Sequence, residues 1–480
     1  MNARLRFAPS PTGELHIGGV RTFLYNYLFA RQKGGTLVLR VEDTDQERLV
    51  ASAIESIYDG LHWLGITWNE GPREGGPYAP YIQSQRLPLY QKHASELVEK
   101  GAAYYCFCSK ERLAEMRRQQ EARHELTKYD RHCRSIPPAE AALRAKSELH
   151  TVRLKVPDEG TLGIDDLVHG RIEWQANTIE DQVILKSDGF PTYHLAVVID
   201  DHVMGISQIV RGEEWIASVP KHLLIYRAFG WDVPPMAHVP DVLGADGKKL
   251  SKRHGSTAVA EFRRDGYLPE GLINYLALVG WSPGTEDEIF SMDDLIRVWK
   301  IEQVQSAPGK WDKDRLDYFN GVWIRRLSVD ELVGRLEPFV PPEWDRETLR
   351  RIVPHIQERM KTLKDAKDLI AFLFTDELVY DPRILVPKKQ DPGRTVEVLS
   401  KATVHLRYLE PLTAERIEHA LAAVAQEVGW KQGDVNMPVR VAVTGRTVGP
   451  PLYQSVEILG RERALHRVDA AIDALSKANS

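Results

Sequence analysis

Two prolines and three glycines within the first twenty residues decide where this chain can be regular. The apolar run that ends at Arg6-Phe7-Ala8 reads as a short strand, and Pro9, Pro11 and Gly13 cannot continue it, so a loop follows. After Leu15-His16-Ile17, Gly18 and Gly19 open a segment from Val20 to Gln32 with Phe23, Leu24, Tyr27 and Leu28 at helical spacing, and Gly34-Gly35 ends it. Thr36 to Val41 is a second strand that runs straight into Glu42-Asp43-Thr44-Asp45. Strand, helix and strand at this spacing predict a right-handed parallel unit. Such sheets bind ligands at the carboxyl ends of their strands, which places Arg6, the Ser10 loop and the acidic tetrad at one crevice. Glycines at the helix start let an anion approach backbone N–H groups at the positive end of the helix dipole, and His16 can donate to the same anion. Read separately, each piece also fits a plain turn: a Gly-rich connection, and four acidic residues facing water.

A chain of 480 residues exceeds one ordinary core, so several domains are expected. Three cysteines exclude a disulfide framework. The first residues lack the apolar stretch of a signal peptide and no run is long enough to span a bilayer, so a cytoplasmic protein without membrane contact is expected. A formal net charge of -5 argues against blanket attraction to polyanions, though a basic face can coexist with acidic surface elsewhere.

Further along, Ala51 to Leu64 and Leu87 to Glu99 predict helices, and Pro72 to Pro80 is a loop. Cys106 and Cys108 follow Tyr104-Tyr105, and Cys133 follows Tyr129 and His132. Clustered thiols fit either a zinc site short of one ligand or buried cysteines acting as small hydrophobes. Lys110 to Glu125 is charged and weakly periodic. Val152 to Val156 and Gly170 to Trp174 alternate like half-buried strands, so residues from about 100 to 185 form a mixed insertion in the parallel sheet. The parallel pattern is expected to resume at Val183 to Lys186, continuing past a turn at Asp188-Gly189 into the apolar run from Pro191 to Asp201. A further apolar run, Ile206 to Val210, ends in Arg211-Gly212-Glu213-Glu214-Trp215. Arg211 suits a carboxylate, because a guanidinium holds both oxygens at once; Trp215 offers a flat face for an adenine, or core packing. Leu243-Gly244 then leads to Lys248-Lys249-Leu250-Ser251-Lys252-Arg253, a cationic turn able to stabilise charge on a leaving pyrophosphate.

His16-Ile17-Gly18-Gly19 together with Lys249-Leu250-Ser251-Lys252-Arg253 resembles the HIGH and KMSKS signatures of class I aminoacyl-tRNA synthetases, with Gly19 in place of the second histidine. The stretch Arg6 to Gly13 with Pro9, the tetrad Glu42 to Asp45, and Arg211 to Trp215 resemble the bacterial glutamyl branch in particular, over essentially the whole chain. The resemblance implies an α/β fold: a Rossmann-like parallel-sheet catalytic domain, an inserted mixed α/β domain, and all-α C-terminal domains. It implies boundaries at 1–100, 101–185 for the acceptor-end insertion, 186–255 for the second catalytic half, 256–325 for a helical stem-contact segment, and 326–480 for anticodon binding. Arg6, Ala8, Ser10, Glu42, Tyr193 and Arg211 match glutamate-binding positions, and His16, Gly18, Glu214, Trp215, Leu243 and Lys252 match ATP-binding ones. His16, Lys249 and Lys252 are expected to act on the phosphates. The implied reaction joins L-glutamate to tRNA(Glu) through a glutamyl-adenylate, consuming ATP with Mg2+, and requires bound tRNA; a monomer is expected.

Zinc-binding relatives carry Cys-x-Cys followed either by Cys-x-His or by a tyrosine four residues before the last cysteine. Ser135 stands at the histidine position of the first pattern, whereas Tyr129 and Cys133 fit the second, which leaves structural Zn2+ on Cys106, Cys108, Tyr129 and Cys133 open. Beyond a capping box at Ser328 and Glu331, the segments 349–353, 363–374, 413–428 and 461–475 have apolar residues at three- and four-residue steps. Helices there resemble the anticodon-binding cage of bacterial enzymes, as opposed to the β-barrels of glutaminyl and eukaryotic relatives, and Arg359 resembles the arginine set against the third anticodon base. A small-molecule adenylyltransferase would account for His16 but not for this helical extension. A non-catalytic tRNA-binding protein would account for the extension but not for the joint presence of His16, Arg211 and Lys252.

Overall fold

The computed structural model describes residues 3–50 and 52–478, and Lys252 by its backbone alone. It divides into two compact units, one of residues 1–263 and 272–313, the other of 264–271 and 314–480, so the stretch 256–325 is shared between them.

In the first unit, β1 (Arg4–Phe7), α1 (Ile17–Gln32) and β2 (Thr36–Leu39) form the expected parallel crossover, in register from Arg4 with Thr36 to Phe7 with Leu39. The strand is shorter than its apolar run because Val41 pairs with Ile82 instead, beyond α2 (Ala53–Trp63). After α3 (Leu87–Glu99) comes the insertion. Here β3 (Ala103–Cys106), α4 (Lys110–Ala122), α5 (Pro138–Arg144), β4 (Thr151–Leu154), the hairpin β5 (Thr161–Asp166) and β6 (Gly170–Gln175), and β7 (Val183–Leu185) follow in turn. The strands β3, β4 and β7 make one antiparallel sheet. Val183 to Leu185 therefore completes the insertion and does not resume the parallel sheet. The next apolar run is also not a strand: Tyr193–Val203 is a helix, α6, in which His194 to Asp201 are all buried. A helix buried on every side shows no stripe, so periodicity does not separate it from a buried strand.

The parallel sheet returns at β8 (Ile209–Gly212), which leads through α7 (Val219–Phe229) to β9 (Met236–Val239), paired in parallel from Ile209 with Met236 to Gly212 with Val239. Ser207 N–H donates to Arg4 O at 2.9 Å, which sets the returning chain beside β1. Two short parallel strands, β10 (Val242–Leu243) and β11 (Gly309–Lys310), close the unit.

A buried polar cluster ties the two halves across the insertion. Arg40 contacts Asp201 at 2.8 Å and Glu42 at 2.9 Å; Arg6 contacts Asp201 at 3.0 Å; Arg86 and Tyr90 both reach Asp200 at 2.8 Å. Burial alone would raise the Asp201 carboxyl, but the guanidiniums of Arg6 and Arg40 outweigh it and hold its pKa below the ordinary value.

The second unit is helical, and among the described residues no strand follows Lys310. Ser328 caps Val329–Leu336 in the capping box read from sequence, and Thr413 caps Ala414–Val428, which ends at Gly429 with φ +70°. Leu349, Ile352, Val353, Ile356, Leu421 and Val424 pack into one apolar core, the stripes their spacing predicts. Arg359 is exposed at the end of a 3₁₀ turn, Gln357–Arg359. No described helix is long and apolar enough to cross a membrane.

Candidate active site

Two adjoining cavities open at the carboxyl ends of the parallel strands of the first unit. One, of about 250 Å³, is lined by His16, Gly18, Gly19, Glu214, Lys249 and Leu250 among others. The second, of about 150 Å³, is lined by Arg6, Ala8, Ser10, Glu42, Tyr193, Arg211 and Trp215 among others. Gly19, Thr22, Gly212 and Glu214 belong to both walls, so the histidine turn, the lysine turn and the Arg211 strand end share one crevice.

At the helix start part of the backbone is already engaged. His16 is the N-cap of α1, and its Nδ1 accepts from Gly18 N–H at 3.2 Å; Ile17 N–H goes to Thr257 O, and Val20 N–H to His16 O. Capping takes up the Gly18 N–H, one of the two donors that the glycine pair offers to a phosphate. It also fixes the neutral His16 ring with its proton on Nε2. A Cβ added at Gly19 would meet open space, so it is the cavity floor, not packing, that its small size serves. At Gly212 the Glu214 carboxylate folds back over the strand end, into the space a Cβ would occupy.

Arg211 is the most constrained side chain of the site. Its Nε donates to His238 Nε2 at 3.1 Å and its Nη1 to Tyr193 OH at 3.2 Å and His222 Nδ1 at 3.3 Å. Nη2 is buried without a hydrogen-bond partner among the described residues, which marks it as the donor left for a ligand. Burial, reinforced by the Arg211 charge, drives the His222 pKa well below that of a free imidazole, and burial raises that of Tyr193, so both face the guanidinium uncharged. The Tyr193 and Trp215 rings lie 3.9 Å apart between centroids, inclined by 31°. Glu42 sits under this cavity with its pKa raised, because burial outweighs Arg40 and Arg6.

Lys249 Nζ is 2.8 Å from Asp241 Oδ1. Burial works to lower its pKa and is outweighed by Asp241, with Glu214 and Glu213 adding to the same side. Asp246 holds both Arg253 and His254, closing the lysine turn on itself. The side chain of Lys252 lies outside what the structure describes. Pro9, Leu243, Ser251 and Arg253 line neither cavity; Val242, the neighbour of Leu243, does. Sequence reasoning missed Thr22, Arg21 and Asp241. Thr22 was within reach, since positions 18, 19 and 22 share a helix face.

In the insertion, Cys106, Cys108 and Cys133 bring their sulfurs within 4.8 Å of one another. Tyr129 OH lies 3.4 Å from both Cys106 and Cys108, and the Arg153 guanidinium stacks 3.8 Å from the Tyr129 ring centroid. The hydrogen bond from Cys133 lowers the Cys106 pKa and raises that of Cys133, so one thiolate is favoured in the cluster.

Comparison with known proteins accounts for both units. Residues 2–318 match the catalytic domain of the class I tRNA synthetases (E and Q), and residues 331–472 match an anticodon binding domain. The glutamate–tRNA ligase of Dehalococcoides mccartyi (strain CBDB1) is 43% identical over 482 residues, covering 99% of this chain and 98% of that one. The glutamate–tRNA ligase of Treponema denticola (strain ATCC 35405) is 42% identical over 502 residues, covering 98% and 99%. The crystal structure of a glutamate tRNA ligase from Elizabethkingia meningosepticum CCUG26117, in complex with its amino acid, superposes with a TM-score of 0.92 at 34% identity, covering 99% of this chain and all of that one. With a crevice built from both signature turns, and with similarity running the length of the chain, this protein belongs to the glutamate–tRNA ligases of the class I tRNA synthetases.

Proposed function

We propose that the ATP-dependent ligation of glutamate to tRNA proceeds here in two steps within the shared crevice. The glutamate α-carboxylate attacks the α-phosphate of ATP, giving glutamyl-adenylate and pyrophosphate. The 2'-hydroxyl of the terminal adenosine of tRNA(Glu) then takes the acyl group and releases AMP. No side chain forms a covalent bond; positioning and charge supply the acceleration. The unpartnered Nη2 of Arg211 is the observation that carries this reading, because a buried guanidinium edge beside Tyr193 OH suits the side-chain carboxylate of glutamate. Arg6, Ala8, Ser10 and Glu42 complete the amino-acid pocket. His16 Nε2–H, Lys249 and Lys252 are assigned to the phosphates, and Gly18, Glu214, Trp215 and the Val242–Leu243 strand to the nucleotide, which enters as its Mg2+ complex.

Residues 101–185 are assigned to the acceptor end, and the helical unit to the anticodon, with Arg359 against its third base. Three sulfurs and a tyrosine oxygen in one cluster fit Zn2+ in kind and number, so Cys106, Cys108, Tyr129 and Cys133 would hold it. Bound there, the ion supplies a structural link between the end of β3 and the turn at Cys133. A cytoplasmic monomer completes the reading. Glutamate-dependent ATP–pyrophosphate exchange, run with and without tRNA(Glu), tests it: exchange is expected with tRNA alone. Exchange without tRNA overturns the requirement for tRNA, and none in either condition overturns the adenylate.

A further inference from the structure

Arg211 does not stand alone in its pocket; a chain of buried hydrogen bonds runs from it into the insertion. His238 Nε2 accepts from Arg211 Nε at 3.1 Å, and His238 Nδ1 lies 2.6 Å from Asp166 Oδ2. His238 is fully buried and Asp166 nearly so. A guanidinium only donates, so His238 must present a lone pair on Nε2 and carry its proton on Nδ1, aimed at the carboxylate. On the other side, His222 Nδ1 accepts from Arg211 Nη1, and its remaining N–H points to His194 Nδ1 at 3.2 Å. Of the five guanidinium hydrogens, three are engaged, by His238, Tyr193 and His222, and the pair on Nη2 is left over. Which edge faces the ligand is therefore set by His238 and His222.

Asp166 is the last residue of β5 and so belongs to the inserted hairpin, whereas His238 lies on β9 of the parallel sheet. The Asp166 Oδ1 accepts from Val168 N and His169 N at 3.0 Å, His238 N–H is shared between Oδ1 at 3.3 Å and Oδ2 at 3.2 Å, and Leu167 N–H donates to Met236 O at 2.9 Å. The hairpin tip is thus fastened to the strand that carries His238. We infer that Asp166 and His238 are positioning residues for Arg211: the insertion, acting through one neutral imidazole, fixes the guanidinium edge that receives the glutamate side chain. This rests on the assignment of Arg211 to that carboxylate. It makes the inserted domain part of the amino-acid specificity device as well as a neighbour of it.

Asp166→Asn is the discriminating variant. Its amide oxygen can keep the Val168 and His169 donors of Oδ1 and the Oδ1 share of His238 N–H, which puts –NH2 opposite His238 Nδ1. The imidazole must then move its proton to Nε2, where it meets Arg211 Nε–H head on. In the full-length chain with tRNA(Glu), glutamate KM in pyrophosphate exchange is expected to rise about tenfold to a hundredfold, the usual cost of a lost bond to a charged group. KM for ATP and KM for tRNA are expected to stay near wild type, with Tm lowered by no more than a few degrees. His238→Phe should behave likewise, and His238→Gln, whose amide oxygen can still accept from Arg211, should recover most of the loss. An unchanged glutamate KM in Asp166→Asn overturns the inference, as does a loss spread evenly over glutamate, ATP and tRNA. Should His238→Phe fail to fold, Asp166→Asn and His238→Gln decide alone. Arg211→Ala runs in parallel: if it leaves glutamate KM unchanged, the carboxylate assignment itself falls; if it raises KM while Asp166→Asn does not, only the positioning chain falls.

Discussion

Lys249 Nζ stands 2.8 Å from Asp241 Oδ1 in the wall of the same cavity that His16 lines. A cation whose pKa is raised and which is held by a single carboxylate is poised for a triphosphate, which brings more negative charge than Asp241 offers. Lys249→Ala is expected to lower the rate of pyrophosphate exchange by about a hundredfold or more, with tRNA binding unchanged in a filter assay. Asp241→Asn, which only frees the lysine, should change the rate far less. Equal losses in the two variants would mean that the pair is structural.

His16 serves two ends that can be separated. As the N-cap of α1 it accepts from Gly18 N–H, and an alanine there should cost about 1 kcal/mol of stability. His16→Asn restores a cap acceptor but not a donor at the position of Nε2. Thermal unfolding should therefore show His16→Asn close to wild type, while exchange stays as low as in His16→Ala. Recovery of exchange by asparagine would reduce the histidine to its cap.

The histidine pair behind Arg211 predicts an acid limit to stability. Burial, with the nearby charges of Lys221 and Arg211, lowers the His194 pKa to about 4, whereas an unfolded imidazole titrates near 6.5. The unfolded chain then binds more protons between these values, so stability is fully present above pH 6.5 and falls as pH drops toward 4. The loss should amount to roughly 2–4 kcal/mol from this group, with His222 shifted in the same direction. Urea unfolding across that range should show the slope in wild type and a shallower one in His194→Gln.

For the thiol cluster, Cys108→Ser should lower the zinc content of purified protein, measured by mass spectrometry of the metal, by at least half. Tyr129→Phe should lower it less, since three sulfurs within 4.8 Å remain. Stoichiometric zinc in Cys108→Ser would place the metal elsewhere.

What the sequence made legible follows from how local each signal is. α1 was readable because Phe23, Leu24, Tyr27 and Leu28 fall on one face between a glycine pair and a glycine stop. The capping box is a four-residue signal, and Ser328 with Glu331 forms it at the start of Val329–Leu336. α6 was not readable as a helix, since burial on all sides erased its stripe. β5 escaped because Leu162 and Ile164 are its only buried apolar residues, with Gly163 between them. The partners of Arg211 were beyond reach for a different reason. His222 and His238 look like ordinary core histidines until the fold sets them on either side of one guanidinium.

The acidic pair at the end of α6 has a consequence for how the catalytic half comes into being. Arg6, Arg40 and Arg86 are made early in synthesis, and their counter-charges, Asp200 and Asp201, emerge only after the entire insertion. Until then Arg40 has only Glu42 beside it, and Arg6 and Arg86 lack the carboxylates that hold them in the finished interior. The buried cluster beneath the crevice is therefore completed only once α6 has been made.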